Sequence, residues 1–267
     1  MVLQVNISVT LTYDRYLVSS WGRAGSLVIT QMLQHHLQRF TEQKVEWFGA
    51  PELPDRGWNP ELGYTSRPWS VIHSHLHSQF NTTEKMGVVI CLRKSSEQAL
   101  SAKLAKLSGY QHVYEPWYQQ YAKRSYDKNP EYYSTILCEV KNQQLQQNFS
   151  VDCHELEVVR KHVIEWNNLA CAKMKYNAVS LTYDNWCSNL VVASKQLSID
   201  FTASKITMQK DPAKLQDRVS NREEVQAWLD QHREQDAELI ETWRGMLLEN
   251  FPPVDRKSTR LNSSHVK

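Results

Sequence analysis

The sequence is poor in the residues that interrupt or staple a chain. Eight glycines and nine prolines in 267 residues are too few for a fibrous or linker-rich protein. No apolar run approaches the roughly 20 residues needed to span a bilayer, so no membrane-spanning helix is expected. Met1–Thr10 has neither a basic start nor a long apolar stretch, and no signal peptide is expected there. The five cysteines (Cys91, Cys138, Cys153, Cys171 and Cys187) are an odd, scattered set without a CxxC pair. They are expected to be reduced thiols of a cytoplasmic protein. A charge excess of one sign is also missing. The formal net charge is +2, and Arg256–Lys267 carries four cations (Arg256, Lys257, Arg260, Lys267) and no acid, which leaves +2 − 4 = −2 for the rest. A faintly acidic body argues against broad binding to a nucleic-acid backbone.

What remains is an ordinary globular composition, 41% hydrophobic and 22% charged. A chain of this length buries roughly three quarters of its unfolded surface and needs no metal or disulfide to fold. Residues 1–255 are expected to form one domain. Residues 256–267 have no apolar period; they resemble translated adapter sequence and are expected to be a disordered, non-native tail.

Apolar runs and helical spacings alternate along the chain. Arg15–Ser19 is a short strand, followed by a glycine-containing turn. Ile29, Met32, Leu33, Leu37 and Phe40 then fall at helical spacing. Val45–Phe48 is a second short strand, and Gly49–Pro68, with four prolines and three glycines, a loop. Trp69–Leu76 and Met86–Leu92 are strands, the second apolar throughout as a strand buried on both faces should be. Ser95–Ser108 is a helix that Ser95 or Ser96 can cap. Tyr110–Tyr133 is dense in tyrosine and has no clean period. A helix follows around Leu156–Ala170, then a strand at Ala178–Tyr183 and helices at Asn185–Gln196 and Arg222–Leu248. This alternation implies an α/β fold, a mostly parallel central sheet flanked by helices.

In such a sheet, ligands bind at the carboxyl ends of the strands. The turn after the first strand sits there and opens a helix, whose exposed N–H groups and dipole favour a phosphate. Gly22 and Gly25 let the backbone approach a ligand, Arg23 adds fixed charge and Ser26 a hydroxyl. The simpler alternative is a strand–helix turn whose glycines serve only the bend. The pattern GxxxxGK[ST] is absent and no Lys follows Gly25, so this is not a nucleotide-triphosphatase loop.

Ser19–Ser26 (SSWGRAGS) resembles the 5′-phosphosulfate loop of the sulfotransferase family, with Ala24 where Ser is common and Leu27 where Ser or Thr is common. Met86–Ser101 (MGVVICLRKSSEQALS) is similar to that family's 3′-phosphate segment: an apolar strand, Arg93 at its end and Ser101 in the next helix. An Arg at a sheet edge and an exposed helix Ser would look the same. Leu181–Asp184 and Val219–Trp228 are more weakly similar to later family segments. The resemblance implies a P-loop-like fold and transfer of a sulfuryl group from 3′-phosphoadenosine 5′-phosphosulfate to an acceptor hydroxyl of a carbohydrate, phenol or other small alcohol. It implies donor contacts from Arg23, Ala24, Gly25, Ser26, Leu27, Arg93 and Ser101, with no metal; the charge balance and the lack of a long apolar run speak against a nucleic-acid or membrane partner. A nucleotide kinase, or a non-catalytic nucleotide-binding module on the same fold, is the alternative.

Val71–His77 (VIHSHLH) puts His73, His75 and His77 on one strand face. Three readings stay open: a zinc site, polar side chains on a half-exposed strand, or a catalytic site. The segment is similar to the family's Lys-Thr-His-Leu stretch, which would make His75 the base, with His73 in the place of the Lys. Glu46 is the rival base, by similarity to a bacterial branch whose Glu follows the first helix. Arg23 and the loop N–H groups would stabilise charge growing on the leaving oxygen. Tyr110–Tyr133 is either an acceptor wall or ordinary packing. Deleting Arg256–Lys267 should leave the melting temperature unchanged, which a thermal scan of the two chains checks.

Overall fold

The computed structural model describes residues 12–50, 58–59, 64–65, 68–75, 86–107, 149–174, 178–184, 186–199 and 215–248. The Tyr110–Tyr133 segment, His77 and the tail at 256–267 lie outside them. Strands β1 (Arg15–Ser19), β2 (Glu46–Ala50), β5 (Ser70–Ser74), β6 (Gly87–Leu92) and β7 (Ala178–Thr182) form one sheet. Its order is β2-β5-β1-β6-β7 and every pairing is parallel. Two-residue strands β3 (Trp58–Asn59) and β4 (Tyr64–Thr65) pair antiparallel with each other. Helices are α1 (Ser26–Gln38), α2 (Ser95–Leu107), α3 (Cys153–Lys173), α4 (Trp186–Leu197) and α5 (Arg222–Leu248). Among the described residues, no helix is long and apolar enough to cross a membrane.

The expected α/β architecture is what forms. β6 is buried at all six positions because it lies inside the sheet with helices over both faces. Alternation sorts its neighbours. Tyr16 and Val18 join Ile29, Leu33 and Leu37 of α1 and Ala193 and Leu197 of α4 in one core. Leu17, Ile72, Val88, Ile90 and Leu92 join Cys171 of α3 and Ile240, Trp243 and Leu247 of α5 in the other. The helix α2 packs on α3 and α5. The 49–68 region is not all loop: β2 runs on through Gly49 and Ala50, because β5 supplies its ladder as far as Ser74. Strand pairing here overrides the weak strand preference of glycine.

The start of α2 also differs from expectation. Ser95 and Ser96 lie inside the helix, and their hydroxyls donate to the Asp236 carboxylate of α5. Asp236 caps the helix from 140 residues away, accepting the Ser96 N–H at 2.9 Å. Arg160 of α3 donates to the same carboxylate at 3.0 Å, and both charged side chains are buried. Asn221 clamps the backbone of Val151, accepting its N–H and donating to its C=O.

Cys91, Cys153 and Cys171 are free thiols. Burial pushes the Cys91 thiol far above its ordinary range and Cys171 up to about 12. Burial, followed by the Glu224 carboxylate, takes Cys153 to about 11.

Two substitutions test this packing by chemical denaturation. Asp236→Ala removes the buried carboxylate that pairs with Arg160, leaving its guanidinium to Gln235 and the more distant Glu157, and should cost about 3–5 kcal/mol. Gly87 sits opposite Tyr16 on β1, and a Cβ there would meet the buried Tyr16 ring at 2.5 Å. Gly87→Ala should therefore cost about 1–3 kcal/mol.

Candidate functional site

Chain direction places the site. From β1 the chain crosses to β2 and β5 on one side, and from β6 it crosses to β7 on the other. The order reverses between the adjacent strands β1 and β6, and in sheets of this kind the crevice lies at that switch point, outside the carboxyl ends of the strands. The glycine loop leaves β1 at that crevice, and Arg93 and α2 leave β6 there.

Three left-handed residues, Gly22 (φ 117°), Arg23 (φ 56°) and Gly25 (φ 79°), curl the loop. For the glycines this conformation carries little strain; Arg23 is held in it. The curl presents the Gly22 carbonyl to Gln98 Nε2 and the Arg23 carbonyl to Arg93 Nη1 at 3.2 Å, so two side chains at the α2 end grip the loop backbone. Gly25 is the N-cap of α1 and makes no side-chain cap bond, and the first turn holds no acid. Among the described residues, the N–H groups of Ala24, Gly25, Ser26 and Leu27 have no hydrogen-bond partner. The positive end of α1 thus carries four N–H groups that no described residue caps.

The glycine loop and the β6–α2 segment meet here. Arg23 Nε donates to Ser101 Oγ at 3.3 Å, across 78 residues of sequence. Arg93 is buried, lies 4.3 Å over the Tyr183 ring, and pairs with Glu97 at 3.4 Å. Lys94 lies 3.5 Å from both Glu97 and Asp184. Burial alone would lower the Lys94 pKa, but the two carboxylates outweigh it and hold the amine above its ordinary range. Among the described residues, Arg23, Arg93 and Lys94 against Glu97 and Asp184 leave 3 − 2 = +1. Gln98 Oε1 is buried beside the loop without a hydrogen-bond partner.

The histidines lie on the α1 side. His73 is one strand period beyond Val71, which packs in the α1 core, and its Nε2 is 2.8 Å from Ser26 Oγ. His75 stands just past β5, with its ring 4.7 Å from that of His73. His75 Nδ1 is 2.8 Å from the Ser20 carbonyl oxygen. A carbonyl only accepts, so Nδ1 carries the proton and the neutral ring keeps its lone pair on Nε2. An added Cβ at Gly22 would lie 3.8 Å from that ring, so the loop closes directly over it. Trp166 of α3 donates to the His75 carbonyl at 2.7 Å and steadies the segment from the other face.

Arg23, Gly25, Ser26, Arg93, Ser101 and His75 therefore gather at one crevice. The Ala24 methyl is buried in the α1 core and leaves only backbone to the loop; half-buried Leu27 offers its N–H. Glu46 goes elsewhere. It is the first residue of β2, paired with Ser70 at the amino end of the sheet, about 13 Å of strand from the carboxyl ends. Its side chain lies outside the described residues. Among the described residues no group of three or more His, Cys, Asp or Glu converges to hold a metal. Gln98, Tyr183 and Asp184 belong to the site without having been singled out as site residues, although the stretches containing them were. No family model matches the chain, and no curated protein or solved structure matches it significantly. If the Ser20 carbonyl orders the ring, nitrogen-detected NMR of the neutral His75 side chain should show the Nδ1–H form. A predominant Nε2–H form would contradict the geometry.

Proposed function

We propose that this α/β protein transfers a sulfuryl group from 3′-phosphoadenosine 5′-phosphosulfate to the hydroxyl of a small acceptor. The observation that carries the reading is the meeting of the glycine loop with the β6–α2 segment, Arg23 Nε lying 3.3 Å from Ser101 Oγ. Two anion-binding stretches remote in sequence then line one crevice, as a ligand charged at both ends requires. The donor set suits that ligand: uncapped N–H groups at the start of α1, a guanidinium on the loop and a second at the end of β6. When bound, the donor supplies the activated sulfuryl group.

The residues divide the work. The loop N–H groups and Arg23 would hold the 5′ end and oppose negative charge on the leaving oxygen. Arg93 and Ser101 would hold the 3′-phosphate. Arg93 now donates to Glu97 at 3.4 and 3.5 Å and to the Arg23 carbonyl at 3.2 Å, and Ser101 accepts from Arg23 at 3.3 Å; these are long bonds for which phosphate oxygens would compete. His75 Nε2 would accept the acceptor's hydroxyl proton, with the Ser20 carbonyl fixing the ring. Alignment of the two substrates in the crevice would lower the barrier further. A nucleotide kinase fits less well, because no Lys follows Gly25 to reach a γ-phosphate.

Calorimetric titration distinguishes the two. The protein should bind 3′-phosphoadenosine 5′-phosphate in preference to ATP; equal or tighter ATP binding overturns the proposal. Arg23→Ala and Arg93→Ala should each weaken bisphosphate binding about 10- to 100-fold. His75→Ala should leave that binding unchanged and lower turnover by about 10² to 10⁴.

A further inference from the structure

The Ser26–His73 contact has no role in the chemistry above, yet it joins the loop to the sheet. Gly22 N–H donates to Ser20 Oγ at 3.2 Å, Ser20 Oγ donates to Ser26 Oγ at 3.0 Å, and Ser26 Oγ lies 2.8 Å from His73 Nε2. A hydroxyl has one proton to give. Ser26 Oγ accepts the Ser20 proton, and with His73 neutral and protonated at Nδ1 its own proton goes to His73 Nε2. The Ser26 hydroxyl, although it sits at the first position of α1 among uncapped N–H groups, then offers nothing to an anion.

We propose that His73 is a positioning residue that takes up a proton as the loop binds an anion and so turns the Ser26 hydroxyl onto it, a role that rests on the donor-binding reading above. Neutral His73 accepts from Ser26. Protonated at Nε2 with a proton drawn from solvent, it donates to Ser26 Oγ, and the Ser26 O–H is released towards the bound oxygen. No other bond is made or broken. If Ser26 turned without this proton, the His73 lone pair would lose its donor beside a buried hydroxyl.

The surroundings couple that proton to the anion. On its own strand His73 faces the His75 ring at 4.7 Å. β1 sets Val18 opposite it and β2 sets Gly49. α1 faces it with the Ser26 hydroxyl, while His36 of that helix packs more than two turns away against Tyr16 and Phe40. The loop contributes Arg23, held to Ser101. Arg23 adds positive charge to the loop, so a second cation there is favoured once an anion has arrived.

The test is titration of the full chain with 3′-phosphoadenosine 5′-phosphate between about pH 6 and 8, in buffers of different ionisation heat. The wild type should take up about one more proton per ligand than His73→Gln or Ser26→Ala, a difference that cancels the ligand's own titration. His73→Gln, whose amide can donate to Ser26 at every pH, should still bind, with a flatter pH profile. In nitrogen-detected NMR, His73 should be neutral and Nδ1-protonated in the free protein and doubly protonated in the complex, a readout that stands even if a variant fails to fold. Equal proton uptake in all three chains, or a His73 that stays neutral in the complex, overturns the inference and leaves the donor reading intact. Absence of bisphosphate binding at every pH overturns the donor reading, and the inference with it.

Discussion

The buried Asp236 carboxylate is the contact on which the arrangement of the crevice depends. It accepts from Ser95, Ser96 and Arg160, and so joins α2, α3 and α5 at one point. A buried ion pair of this kind adds little net stability over an apolar substitute, because desolvation offsets the attraction. What it does is direct α2. The helix starts where the carboxylate caps it, two residues after Arg93, and this start sets where Arg93, Gln98 and Ser101 stand. Those three reach the glycine loop, so a cap made far along the chain determines the shape of a turn beside the first strand.

The loop is held from outside itself. Its left-handed residues turn two carbonyls away from α1, and Gln98 and Arg93 take them up. The same curl leaves four N–H groups together at the helix start. Backbone donors held in this way need no rearrangement to meet an anion, which is where such a site gains over flexible side chains. The histidines complete the enclosure, one under Gly22 and one against Ser26.

Much of the fold was legible in the chain because its signals are local. β6 is an unbroken apolar run, and α5 repeats apolar residues every three or four positions from Val225 to Leu247, so the strand is recovered to within a residue and the helix to its ends. The glycine loop and Arg93 were legible through motif spacing. Gln98, Tyr183 and Asp184 were not, as site residues, because a polar side chain on a helix or strand end does not disclose its partner. Gln98 meets Gly22 across 76 residues, and Asp236 meets Ser96 across 140. Glu46 is placed apart from the other named residues. Its place after the first helix suggested a base, but in a parallel sheet the residue that begins a strand stands at the end away from the ligands.

Arg23 has a further consequence. A side chain at φ 56° carries strain of about 1–3 kcal/mol, which glycine would relieve at the same position. Selection for heat resistance alone would therefore drift towards glycine at position 23, and the hardier proteins it yielded would have discarded the loop's only guanidinium. Robustness and the keeping of a loop cation pull this one codon in opposite directions.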